Sequence, residues 1–266
     1  MSRKNYHPYH IVEQSPWPIL TAFSAFSLLV GTVMYMHSYK FGFLILFLGL
    51  ISLLMCVSFW WRDIVFEATF ELRHTEKVRK GLRLGMVLFI VSEVMFFFGF
   101  FWAFFHSSLC PTVEIGCIWP PLSIQAINPF GVPLVNTAIL LLSGASVTWA
   151  HHALLLDNRK DTFLGFVFTL VLAVSFTFLQ IKEYIDAPFS ISDGIYGSTF
   201  FMATGFHGFH VIIGTIFIFV CFLRFYNYHF AKGETHVGFE SAVWYWHFVD
   251  VVWLFLYVSI YTWGFF

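Results

Sequence analysis

Residues 82–105 read LRLGMVLFIVSEVMFFFGFFWAFF, with one base, Arg83, at the edge and one acid, Glu93, inside. About 20 consecutive apolar residues are enough for a helix to cross the hydrocarbon core of a bilayer. Working outward in both directions, six further runs of that kind are bounded by charge or proline. The seven predicted spans are 17–36, 41–60, 82–105, 133–151, 162–181, 195–223 and 241–263. The rest of the composition agrees. Of 266 residues, 59% are hydrophobic and only 11% charged, and Phe alone contributes 37. A soluble domain carries about 25% charged residues, so soluble and disordered classes are excluded. The net charge of -1 offers no basic footprint for nucleic acid. The sequence therefore predicts an all-α, polytopic membrane protein with seven transmembrane helices.

All nine prolines fall at the ends of these spans or between them, as helix interiors require. Seven crossings put the termini on opposite sides. One side collects Arg3, Lys4, Arg62, Arg73, Lys77, Arg79, Lys80, Arg83, Arg159, Lys160, Arg224 and Lys232; the other has only Lys40 and Lys182. The positive-inside rule then sets the N-terminus inside, in cytoplasm or mitochondrial matrix, and the C-terminus outside. Residues 1–16 are polar and no small-residue cleavage site follows the first apolar run, so no cleavable signal is expected. Trp17, Trp60, Trp61, Trp102, Trp149, Tyr261 and Trp263 cluster at span ends and read as an interfacial aromatic belt.

The charged segment 62–83 divides the chain into 1–61, an N-terminal segment with a two-helix hairpin, the connection 62–81, and a five-helix bundle over 82–266. Read as one helix, the connection puts Glu67, Glu71 and His74 on a common face. It is either a solvated inner helix or a rim that binds lipid headgroups. The outer connection 106–132 is rich in Pro and Gly and reads as a lid. Cys110 and Cys117 within it either pair or stay free thiols. The small residues Gly194, Gly197, Ser198, Gly205, Gly208 and Gly214 would let the sixth helix approach its neighbours closely.

Ionisable groups at membrane depth cost about 2.5–3.5 kcal/mol each on insertion scales, so they carry the information. Glu93 lies roughly 16 Å into its span at 1.5 Å per residue. It is either a proton-linked or partner-facing carboxyl, or a neutral acid bonded to a neighbouring helix. Glu240, Trp244, His247 and Val251 share a face of the seventh span, with Asp250 one turn from His247. His207 and His210 stand at i,i+3 in the sixth, and His151 and His152 close the fourth. Imidazoles of this number invite haem or copper. Yet 151 and 152 point to different faces, and 207 and 210 lack a thiolate or a second pair. His207, His210, His247 and Asp250 are expected to be buried structural groups, with no metal held in the chain and no catalytic residue. Transport and serine-type hydrolysis find no broken helix and no nucleophile with a base.

Composition and spacing leave the activity open, but several strings carry a likeness. SPWP (15–18), WWRD (60–63), KGLRLGM (80–86), SEVMFFFGFFWAFFHSS (92–108), WPP (119–121), TWAHH (148–152), SDGIYGSTFFMATGFHGFHVIIG (192–214) and WYWHFVDVVWLFLY (244–257) resemble the cytochrome c oxidase subunit III family. The likeness covers essentially the whole chain, weakest in parts of spans one, two and five, at 110–118 and at 225–237. It implies a non-catalytic core subunit of the haem–copper oxidase, complex IV, which takes electrons from cytochrome c to oxygen and pumps protons. It implies that haem a, haem a3 and copper sit in the partner subunits I and II, that small accessory subunits join them, and that cytochrome c is met only through the complex. It implies a V between the two-helix hairpin and the five-helix bundle, with phospholipids in the cleft. Trp61, Glu67, His74 and Arg224 match the family's lipid-contacting positions, and Glu93 its carbodiimide-reactive acid near subunit I. The implied role is to stabilise subunit I and sustain proton uptake. The implied place is the mitochondrial inner membrane, N-terminus in the matrix and C-terminus in the intermembrane space, as in organelle-encoded members, ahead of a bacterial plasma membrane. Direct conduction of protons or oxygen by this chain, and a quinol oxidase setting, remain open alternatives.

Overall fold

The computed structural model describes residues 7–230 and 236–265. Arg3, Lys4 and Lys232, which entered the charge count above, lie outside them. Among the described residues the structure is helical: α1 (Trp17–Met36), α2 (Gly42–Thr69), α3 (Glu76–Leu109), α4 (Val132–Leu155), α5 (Arg159–Asp186), α6 (Gly194–Tyr226) and α7 (Val237–Leu256), which runs on into a π-helical turn, Tyr257–Trp263. All seven are long and apolar enough to cross a membrane. The shortest, at 20 residues, spans about 30 Å at 1.5 Å per residue. Pro18 and Pro133 sit in the first turns of α1 and α4, where the missing N–H costs nothing. The chain forms two compact units, one reaching to Leu82 and one beginning at Arg83.

In the first unit α1 and α2 make an antiparallel hairpin whose contact line is set by glycine. A Cβ on Gly42 would fall 2.6 Å from the Tyr35 nitrogen, one on Gly49 2.6 Å from the Leu28 nitrogen, and one on Gly31 into the backbone of Leu46. Only hydrogen fits at these positions, so the two backbones meet. This close approach gives dispersion contact where lipid supplies no hydrophobic drive between helices. Ser38 and Phe41, both at positive φ, turn the chain between the helices. At the other end Trp17 Nε1 donates to Asp63 Oδ2 at 2.6 Å.

The stretch 62–83 is not one helix. α2 carries on to Thr69, the chain breaks at 70–75 with Leu72 at φ 52°, and α3 starts at Glu76. Glu67 and His74 therefore do not share a helix face, contrary to the expectation from spacing. The N-terminal segment lies on this break: Arg73 bridges Glu13 at 2.7 Å, and Thr75 Oγ1 donates to the Pro8 carbonyl.

In the second unit α7 is the most enclosed helix, packed against α4 and α6, while α5 packs against the same two. Its indoles tie it to α4, with Trp246 Nε1 donating to Ser143 Oγ at 3.0 Å and Trp253 Nε1 to Thr137 Oγ1 at 2.9 Å. Phe166, Phe176, Phe200 and Phe239 complete the core. Of the small residues in α6, Gly197 and Gly214 are needed for packing: a Cβ on Gly214 would stand 2.9 Å from the Trp246 ring, and one on Gly197 would strike the Ser190 carbonyl. Gly208 faces open space, so its small size serves no contact within the chain. The connection after α3 folds back through Trp119, whose ring meets Phe104 and Tyr196. Cys110 and Cys117 in it are exposed and not joined to each other.

Candidate functional site

Glu93 on α3 and His210 on α6 come together, Glu93 Oε2 to His210 Nε2 at 2.8 Å. Leu82 to Glu93 is three turns of α3, and His210 lies midway along α6, so both stand near the centre of their helices. Phe97, Tyr245 and Phe248 enclose the imidazole, with Phe97 edge-on at 5.0 Å between ring centroids. His210 Nδ1 lies 2.6 Å from the Phe206 carbonyl, which can only accept. Nδ1 is therefore the N–H, and it donates. That leaves one proton for the contact between Nε2 and the Glu93 carboxyl. It rests either on Glu93, giving O–H···N between neutral groups, or on His210, giving an ion pair. The arrangement can hold a proton and hand it across one hydrogen bond.

The other histidines are used differently. His207, a turn before His210, donates Nε2 to the Val249 carbonyl at 3.2 Å and packs its ring on Trp253 and Phe176. The i,i+3 pair thus reaches two separate partners. His247 contacts Thr148 Oγ1 through Nε2 at 3.0 Å and Asp250 Oδ2 through Nδ1 at 3.5 Å. Asp250 is buried, and the absence of a side chain on Gly144 makes room for its carboxylate. His151 and His152 are 6.2 Å apart between ring centroids, with His151 edge-on to Phe239. Of the histidines expected to be buried, His207 and His210 are, whereas the His247 side chain, at the α7 surface, is 44% exposed. These imidazoles are distributed over protein partners rather than converging, a donor arrangement that does not fit a haem or a copper centre.

Two polar features were not legible in the sequence. Tyr261 is not part of a lipid-facing belt: it is 2% exposed and donates its hydroxyl to Glu183 at 2.6 Å, with Gln180 bonding both and Asn136 beyond. The π-helical turn after α7 rotates Tyr261 inward, and nothing in the apolar pattern announces such a turn. Arg83 on α3 reaches Glu240 on α7 with two bonds, 2.7 and 3.1 Å. The charge asymmetry assigns Arg83 to the inner side and says nothing of this partner.

Of the positions matched to lipid contacts, Trp61 is 59% exposed. Glu67 and His74 do meet, through tertiary folding, and His10 joins them. Arg224 belongs to the second unit, in the last turn of α6; its guanidinium lies over the Phe230 ring at 4.8 Å and against Gly238. Arg159 lies over Tyr228 at 3.5 Å and donates to the Tyr226 carbonyl. Outside the spans, burial and the Arg224 charge hold His229 below the usual imidazole range.

Comparison with known proteins adds what geometry does not. Residues 7–265 match the family model described as cytochrome c oxidase subunit III. Cytochrome c oxidase subunit 3 of Prototheca wickerhamii is 61% identical over 258 residues, 97% of this chain and 98% of that one. The Arabidopsis thaliana protein of the same name is 60% identical over 97% of both chains. The Anopheles gambiae protein is 58% identical over 264 residues, 99% of this chain and all of its own. Together with seven membrane-spanning helices, a full-length match at this identity means that the chain belongs to the cytochrome c oxidase subunit III family.

Proposed function

We propose that this subunit of complex IV is a non-catalytic core element that stabilises subunit I, holds phospholipids and sustains proton uptake, while haem a, haem a3 and copper stay in subunits I and II. The observation that carries the reading is the fate of the histidines within the spans. His207, His210 and His247 are committed to Val249, Glu93 and Thr148, which supports redox centres held elsewhere. The broad apolar surface of α3, on which Phe98 and Trp102 stand out at 56% and 64% exposure, suits burial against lipid or partner subunits. Cytochrome c and the small accessory subunits are then met only within the complex. Trp61, Glu67, His74 and Arg224 contact phospholipid, Arg224 through the phosphate. The assignment puts the chain in the mitochondrial inner membrane, N-terminus in the matrix and C-terminus in the intermembrane space, as its charge asymmetry favours.

Gentle purification through a tag on this chain tests the core of the proposal. Haem a bands should travel with larger partners and vanish once this chain is stripped from them. Haem or copper kept by the isolated chain would refute it. The Glu93–His210 pair supports a second reading, direct proton conduction by this chain. Glu93→Gln separates the two: pumping stoichiometry and turnover rate that survive the change remove conduction through this carboxyl, and their joint loss would favour it.

A further inference from the structure

His10, Glu67 and His74 bring one donor atom each to a common point, all within 4.8 Å of one another. They come from three places in the first unit: the N-terminal segment, the inner end of α2 and the break before α3. His10 Nε2 and Glu67 Oε2 face each other at 3.8 Å. That is too long for a hydrogen bond, and His10 Nε2 is buried with no hydrogen-bond partner. The pair stands slightly wider than two ligands on one ion. Zn–N and Zn–O bonds of about 2.0–2.2 Å put tetrahedral ligands about 3.3–3.6 Å apart. The His10 and His74 rings meet edge to face at 5.6 Å between centroids.

We propose that His10, Glu67 and His74 form a binding site for a borderline divalent cation, zinc by preference, with water as fourth ligand. Two imidazoles and one carboxylate suit zinc better than magnesium or calcium, which favour oxygen. Arg73, a base close to Glu67, is already paired with Glu13 at 2.7 Å and Glu71 at 2.6 Å, and the Lys77 ammonium lies over the Tyr9 ring. The site holds no redox chemistry. It staples the N-terminal segment to the α2–α3 break, adding to the contacts of Thr75 with Pro8 and Arg73 with Glu13. The inference goes beyond the lipid role proposed for Glu67 and His74 and does not depend on it, since His10 has no part in that role.

The test uses the intact oxidase complex, washed with chelator and reloaded with Zn²⁺. Wild type should retain one zinc ion more per complex than His10→Ala, and Co²⁺ should give a visible four-coordinate absorption in wild type that the variant lacks. His10 lies before α1, outside every helix, so the change leaves helix packing intact. In the unmutated complex, zinc should shield His10 and His74 from diethylpyrocarbonate several-fold while leaving exposed His7 reactive, read by peptide mapping. Equal zinc counts in wild type and His10→Ala, or equal modification of His10 with and without zinc, overturns the site. Phospholipid retained by His10→Ala should equal wild type; lipid lost in step with zinc would mean that the three side chains hold a headgroup instead, and would also overturn it.

Discussion

The Arg83–Glu240 pair should be worth more than a surface salt bridge, and a double-mutant cycle measures it. Both bonds are short, 2.7 and 3.1 Å, and the side chains are 31% and 18% exposed. Gross attraction at about 4 Å between charge centres and an effective dielectric near 20 is about 4 kcal/mol. Desolvation and the ordering of two long side chains cancel much of it. Exposed pairs keep about 0.2–1 kcal/mol, while breaking a wholly buried pair costs about 3–5. A pair with this partial exposure falls between, at a coupling of about 1–2 kcal/mol. The cycle uses Arg83→Gln, Glu240→Gln and the double change, with unfolding of the chain followed in mixed micelles at low and high salt. Each single change should cost more than half of the double change, because either leaves one charge facing an unpaired amide. Two single losses that simply add, within about 0.3 kcal/mol, would refute the coupling. It would also leave α3 without its polar tie to α7.

Two further outcomes follow from the packing and the ionisation. Gly49→Ala should destabilise the α1–α2 hairpin by about 1–3 kcal/mol, because the added methyl meets Leu28 backbone rather than a side chain that can move; Gly81→Ala, with nothing within 4 Å, is the control, and equal thermal midpoints for the two would contradict the contact. His236 is buried at the start of α7, and that burial first, then the neighbouring His151, holds its imidazole below the usual range. The unfolded chain then takes the proton more readily, so this stability contribution is unchanged above pH ~6.5 and lost as pH falls below it, by at most about 1.4 kcal/mol per pH unit. His236→Gln should flatten that slope in acid unfolding, and an identical slope would rule His236 out as its source.

The seven helices were legible because lipid imposes a length, and each apolar run meets it. Their ends were not. α2 outruns its predicted span by nine residues, from Trp60 to Thr69, and α3 starts six residues early, at Glu76. Beyond the hydrocarbon a helix stops where local backbone geometry stops it, here at Leu72 in the left-handed region, and hydropathy says nothing about that. The same division runs through the polar groups. Glu93 announced itself by the cost of its depth, but its choice of His210 over His207 is a matter of which face of α6 turns toward α3, which an i,i+3 spacing cannot tell. Glu183 stayed hidden because it falls just past the predicted end of its span, where an acid looks solvated. The structure buries Glu183 and leaves Glu93 partly exposed, and their partners separate them. Glu183 receives its hydrogen bonds from Tyr261 and Gln180, groups that keep their protons at neutral pH, so it is fixed in place. Glu93 meets an imidazole whose other nitrogen is already committed to a carbonyl. Of these two acids, Glu93 is the one hydrogen-bonded to a histidine, so the proton-handling role proposed for this chain is better sought at α3–α6 than at the end of α5.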